Sequence, residues 1–244
     1  MHGICQGNGA GLSTWVVLSL SILDQMRAKG FGIQLISPIS KTHIRFAGYS
    51  FVGNTDLLQV ISALKEYGFA IISIKKSIDA WEAGLKVTRG ALVQEKTFWY
   101  LIDFAWRGGE WSYKSIQDTP GKVFANDITG QRLELRRVEP HIAEETLGIF
   151  MKPTGDTSRQ AQKMLQQSTQ WASDVKQGKL KKKAWISLIS TLWRSLSYPL
   201  PALNLTKEQC KKIMAPAIEY VLMAMDIYCH FPRALVFATE KTLA

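Results

Sequence analysis

Few side chains in this 244-residue chain could act on a phosphate ester, and the most pointed group lies at residues 51–58, FVGNTDLL. Gly53-Asn54 suits a two-residue hairpin turn, with glycine where a II′ turn needs φ > 0. Side chains alternate faces along a strand, so Asn54 and Asp56 would share one. Metal-assisted phosphoryl chemistry at such a tip needs anionic oxygens, because magnesium is held by carboxylates, water and substrate phosphates. Asn54 offers one neutral carbonyl oxygen and Gly53 offers no side chain. Asp56 is then the lone carboxylate, and it reads as a turn-side or capping acid rather than a metal ligand. Upstream, residues 3–11 read GICQGNGAG. Gln6 and Gly7 sit where glycine-rich backbone can approach a ligand closely for want of a Cβ. No Gly-Lys-Ser/Thr follows, which argues against a P-loop. Lys96 stands alone in the tract 90–101, and by itself it reads as a solvated lysine at a strand end. Lys179, Lys181, Lys182 and Lys183 form the densest basic run. They fit equally a helix that tracks a phosphate backbone and a solvated helix end.

Other chemistries find little footing. Cys5, Cys210 and Cys229 show no paired short spacing, and His2, His43, His141 and His230 are scattered. A zinc finger and a disulfide framework are both poor readings, and a reducing compartment is the natural setting. No serine is singled out for a Ser-His-Asp constellation. The longest apolar stretch, Thr14 to Leu23, contains Ser19 and Ser21 and is too short to span a bilayer. Its flanks do not resemble a signal peptide, so an intracellular setting, nuclear or cytoplasmic, with no membrane partner is expected. With 30 Lys and Arg against 20 Asp and Glu, the net charge is +10, a field that attracts polyanions.

The elements that would position these residues alternate before Met151 and are helical after it. Leu12, Trp15, Val16, Leu18, Ile22, Leu23 and Met26 recur at helical spacing, predicting a helix over Leu12–Lys29. Strands follow near Gly32–Ile36 and Ile44–Val52, with Thr55–Val60 returning. Ile74, Ile78, Trp81 and Leu85 mark a second helix, Ile74–Lys86, and strands are expected across Ala91–Trp106. The chain then turns at residues 107–110 and returns through Trp111 and Tyr113. A second hairpin turns at Asp127–Gly130 and returns over Arg132–Val138. Trp99, Trp106, Trp111 and Tyr113 could stack on bases, although packing is the commoner fate of such rings. Beyond Gly155, helices are predicted over Thr157–Lys176 and Lys181–Ser195. Pro199 and Pro201 break the second of these from a third, which Thr206 to Gln209 enters with a capping-box pattern.

In order along the chain, the glycine-rich loop, the 51–58 hairpin, GALVQEKTFWYLIDF at 90–104, EETLG at 144–148, YPLPALNL at 198–205 and FPRALVF at 231–237 resemble retrotransposon-type reverse transcriptases. The likeness covers nearly the whole chain. It departs at Leu12 and Gln94, where the family has proline, at Arg89 for glycine, and at Gly53-Asn54 for the aspartate pair. The resemblance implies an α+β fold, a partial polymerase palm over 1–151 followed by a helical, thumb-like region over 152–244. It implies that Gln6 and Gly7 lie near the templating base and incoming nucleotide, Lys96 near the triphosphate, and Leu147-Gly148 at a primer grip. The basic run of Lys179 to Lys183 would lie along the nucleic-acid backbone. The partner implied is nucleic acid, an RNA–DNA hybrid or RNA. The family uses Mg²⁺ in a two-metal clamp with ions about 3.5–4 Å apart. With Gly53 and Asn54 in place of the aspartates, and a third aspartate of the family falling upstream of the glycine-rich loop, Mg²⁺ binding and polymerase activity are not expected.

Overall fold

The computed structural model describes residues 9–51, 54–60, 67–88, 90–126, 129–181 and 183–227. These belong to two compact units that meet in sequence between Ile142 and Ala143, so the change of unit falls before Met151 and the 144–151 hairpin groups with the helices.

In the first unit the apolar periodicity becomes α1 (Gly9–Ala28) and α2 (Tyr67–Val87). Ile22, Leu23 and Met26 of α1 are buried with Trp81 and Leu85 of α2, together with Ala47. Between the helices lie two antiparallel hairpins. One pairs β1 (Ile33–Ile36) with β2 (His43–Phe46), the other β3 (Gly48–Phe51) with β4 (Asn54–Leu57). The single strand expected over Ile44–Val52 is therefore two. The break falls at buried Ala47, whose carbonyl accepts from the Leu58 N–H at 2.8 Å instead of continuing the β1–β2 ladder. Gly48 follows because a Cβ there would sit 2.2 Å from the Asp56 carbonyl oxygen.

A second correction concerns Ala91–Trp106, which is not continuous strand. Gln94–Lys96 forms a 3-10 turn, and strand geometry begins at β5 (Phe98–Tyr100). Thr97 Oγ1 closes that turn on the Val93 carbonyl, and the Gln94 amide caps the Glu134 carbonyl. The ribbon β6 (Phe104–Arg107) and β7 (Glu110–Tyr113) forms as the turn at 107–110 predicts. β8 (Val123–Asn126) and β9 (Arg132–Val138) pair antiparallel, and β5 joins β9 in parallel, giving the order β5-β9-β8. One face of this sheet buries Trp99, Val123, Ala125 and Leu135 against Ile71, Ile74 and Ile78 of α2. Buried Glu82 of α2 fastens the end of β8, accepting from the Asn126 N–H at 2.5 Å and side-chain amide at 2.8 Å.

The second unit begins with the hairpin of β10 (Glu144–Thr146) and β11 (Ile149–Met151). Helix α3 (Ser158–Gln177) follows, then α4 (Lys183–Ser187), a π-helical stretch over Leu188–Trp193, and α5 (Arg194–Ser197). The helix expected over Lys181–Ser195 thus starts later and is widened in its middle, where Thr191 Oγ1 bonds back to the Ser187 carbonyl. Such back-bonding by Ser and Thr bends helices. After the prolines, α6 (Lys207–Ala224) opens with the predicted capping box, Thr206 and Gln209 serving each other's backbone N–H. Met164 and Val175 of α3 pack with Leu188, Leu192, Leu196, Ile213, Ala217 and Val221 to make this unit's core. The fold is α+β, with short and mostly antiparallel sheets.

Candidate nucleic-acid interface

Hairpin β3–β4 sets Tyr49 opposite Asp56, Ser50 opposite Thr55 and Phe51 opposite Asn54. Its two faces do different things. On one, Ser50 Oγ lies 2.8 Å from Thr55 Oγ1 and accepts from the Trp15 indole of α1 at 3.0 Å, which pins the hairpin to the helix. On the other, Asp56 is half-buried beside the Tyr49 hydroxyl, and its Oδ2 is enclosed with no hydrogen-bond partner. Burial raises the Asp56 carboxyl above the usual carboxylate range, and the hydrogen bond from Tyr49 pulls it only partly back. Burial and the neighbouring Asp56 push the Tyr49 phenol upward as well. A single half-buried carboxyl and an exposed neutral amide at Asn54 supply too few anionic oxygens for a pair of hard divalent cations. Among the described residues no three His, Cys, Asp or Glu side chains gather into a metal-binding group. The donors at this hairpin do not fit the Mg²⁺ that the resemblance implies.

The hairpin β10–β11 is organised around its backbone. Leu147 (φ 55°) and Gly148 (φ 80°) are both left-handed, the pattern of a type I′ turn. Leucine in that region is costly, by roughly 1–2 kcal/mol, so something must hold it. The Tyr198 hydroxyl donates to the Leu147 carbonyl at 2.9 Å, and Lys163 Nζ donates to the Gly148 carbonyl at 3.0 Å. Lys163 also pairs with Glu145 at 2.7 Å. Arg159 and Lys163, one helical turn apart on α3, lie 4.1 and 5.0 Å from the Phe150 ring centre, and Arg159 donates to the Ala143 carbonyl at 2.6 Å. A rigid tip flanked by two cations results.

The basic run is not a helical first turn. Lys183 begins α4, whereas Lys179 (φ 51°) and Lys181 (φ 28°) lie in the connection after α3. The Leu180 N–H bonds back to the Val175 carbonyl, and the Ala184 N–H to Leu180 and Lys181. All three lysines are exposed, and none has an ion-pair partner among the described residues. Lys96 ends the 3-10 turn, exposed, and lies beside no other site residue among the described residues. Gln6, Gly7, Gly53, Asp127 and Lys182, with the FPRALVF stretch at 231–237, lie outside the described residues.

Sequence reasoning missed Tyr49, Arg159, Lys163 and Tyr198. A signal existed for the first three: pairing about a Gly53 turn puts Tyr49 across from Asp56, and the i, i+4 spacing puts Arg159 and Lys163 on one helix face. Tyr198 reaches a turn 51 residues away, and no local pattern marks it. No protein family, curated protein or solved structure matches the chain. No helix among the described residues is long and apolar enough to cross a membrane.

Proposed function

We propose that the chain is a reverse transcriptase-like, palm-and-thumb protein that binds an RNA–DNA primer–template without transferring nucleotides. The carrying observation is the hairpin's single acid, Asp56, half-buried and held by Tyr49 with an enclosed oxygen, where a two-metal site would need a cluster of carboxylates. Supporting the binding half are the ordered motifs along the chain, the braced Leu147-Gly148 turn, and the exposed lysines 179, 181 and 183. Lysines facing phosphates release condensed counterions on binding, so affinity falls as salt rises.

The test is binding of a labelled RNA–DNA primer–template across a salt titration, beside an unrelated protein of similar charge, with a primer-extension assay in Mg²⁺ run in parallel. Expected is hybrid-preferring binding and no extension. Replacing Lys179, Lys181 and Lys183 by glutamine lowers the slope of log K against log salt by about 2, at roughly 0.7–0.9 for each phosphate no longer neutralised. Binding equal to the control protein overturns the binding half. Magnesium-dependent extension overturns the other.

A further inference from the structure

A two-stranded antiparallel ribbon with one face covered is expected to turn its apolar side inward and its polar side to water. The ribbon β6–β7 does the reverse. From Leu101 to Trp106 the exposure alternates: Leu101, Asp103 and Ala105 are partly covered, while Ile102, Phe104 and Trp106 are exposed. The register sets Trp111 across from Trp106 and Tyr113 across from Phe104, so the same outer face continues onto the second strand. Ile102 is 52% exposed, Phe104 45%, Trp106 60% and Trp111 68%. The rings support one another. Trp106 and Trp111 meet edge-on with centres 5.3 Å apart, and Phe104 and Tyr113 lie at 4.7 Å. The turn that joins the strands is fixed, since Gly108 (φ 60°) and Gly109 (φ 88°) take the two left-handed positions of a type I′ hairpin. Among the described residues, neither apolar core of this unit includes Ile102, Phe104, Trp106 or Trp111.

We propose that this face binds the same face of a second copy of the chain, the two ribbons packing aromatic side to aromatic side about a two-fold axis. Charge selects the occupant. Residues 103–118 hold two cations, Arg107 and Lys114, against three acids, Asp103, Glu110 and Asp118, in a chain whose net charge is +10. Lys114 is paired with Asp103 and Arg107 with Asp118, each at 2.7 Å. A nucleic acid stacking its bases here would bring phosphates to a patch with no surplus of positive charge. Two copies, by contrast, meet here without the like-charge repulsion that a basic surface imposes elsewhere. The area agrees with this choice. At 150–250 Å² for a whole aromatic side chain, the exposed parts of Phe104, Trp106 and Trp111 come to about 400 Å², so two copies cover about 800 Å² on these rings alone. With Ile102 and the strand rims the total passes the roughly 1,000 Å² expected of a specific, transient association. Such a contact is isologous and closes as a dimer. The glycine turn holds the rings in place before contact, which lowers the ordering cost of binding. This inference stands apart from the primer–template reading and uses none of its residues.

The experiment is sedimentation velocity of the full, nuclease-treated chain up to about 200 µM, a concentration at which an interface of this size is populated, across a salt series. Expected is a monomer–dimer equilibrium that holds or tightens as salt rises, because screening removes the net repulsion and leaves the apolar contact. Trp106→Ser with Trp111→Ser raises the dissociation constant at least about tenfold, as central tryptophans carry much of an interface's energy. Trp193→Ser, at a position 50% exposed in the second unit, changes it less than about twofold. A charge exchange then identifies the partner. Trp106→Lys with Trp111→Lys, and Trp106→Glu with Trp111→Glu, are each monomeric alone, and an equimolar mixture associates at least about fivefold more tightly than either. Recovery in the mixture also shows that both variants fold. A chain that stays monomeric to the highest concentration overturns the proposal, as does a dimer that survives the serine pair or is weakened as much by Trp193→Ser. A dimer that dissolves as salt rises overturns it too, since that contact would be electrostatic. A mixture of the charged variants that stays monomeric counts against a shared face and overturns the two-fold arrangement.

Discussion

Hairpin β3–β4 and hairpin β10–β11 each carry residues that the family resemblance marks as functional, and each is held to a helix by side chains that donate hydrogen bonds. In the first, Trp15 reaches Ser50, and the opposite face is left with an enclosed carboxyl beside a phenol. In the second, Tyr198 and Lys163 reach the carbonyls of the turn itself. The difference separates two kinds of function. Metal chemistry would reside in side-chain charge, and on the proposed reading it would be absent at Gly53-Asn54 while the β3–β4 ladder stays intact. A surface that positioned a ligand by backbone shape would need its φ angles, and the Leu147-Gly148 turn holds left-handed φ angles at some cost.

The comparison breaks most visibly at Gly148. Gly148→Val puts a β-branched side chain at φ 80° and is expected to cost about 2 kcal/mol or more, read as a lower urea midpoint. Leu147→Asn acts in the opposite direction, by up to about 1 kcal/mol, because asparagine enters the left-handed region more readily. If both variants are neutral, the turn is slack and the contrast between the hairpins fails. A smaller effect sharpens it: Tyr198→Phe removes one hydroxyl and costs about 1 kcal/mol, and hybrid affinity falls with it if the braced turn meets the primer. A Tyr198→Phe protein with full stability and full affinity would show that the turn needs no brace.

How far the chain could be read in advance follows from where its information lies. The helical periods of α1, α2 and α3, the 107–110 turn and the Thr206 capping box are local patterns, and each appears, although α2 begins at Tyr67, ahead of the expected Ile74. The break at Ala47 was not legible, because it depends on the Leu58 N–H, brought back by the following hairpin. Nor was the 3-10 turn at Gln94–Lys96: the alternation there mimics a strand, and the carbonyl that Gln94 caps belongs to Glu134, 40 residues on. The lysine run misled in a related way. Its composition suits a first helical turn, but Leu180 and Ala184 close the connection after α3 before α4 begins. At the candidate site, the absence of charged side chains at Gly53-Asn54 could be read directly. The fate of Asp56 could not, since burial is a property of the folded chain.

Asp56 also gives the subtlest test of the contrast between the hairpins. Its folded-state proton affinity is raised, chiefly by burial, above an unfolded value of about 3.9. Below that value the carboxyl is protonated in both states, and its contribution to stability is fully present. As pH rises through the folded value, the native state must hold a buried charge, and that contribution is lost. Asp56→Asn cannot ionise and can still accept from Tyr49. The stability of the variant relative to the parent is therefore expected to grow as pH is raised from about 4 through the folded value, and then to level off. Urea unfolding at a series of pH values measures it. A difference that stays flat, or that favours the parent at neutral pH, would mean a stabilised carboxylate at Asp56. That outcome would give the first hairpin an anionic oxygen of the kind metal chemistry requires, and would remove the ground for treating the two hairpins as different in kind.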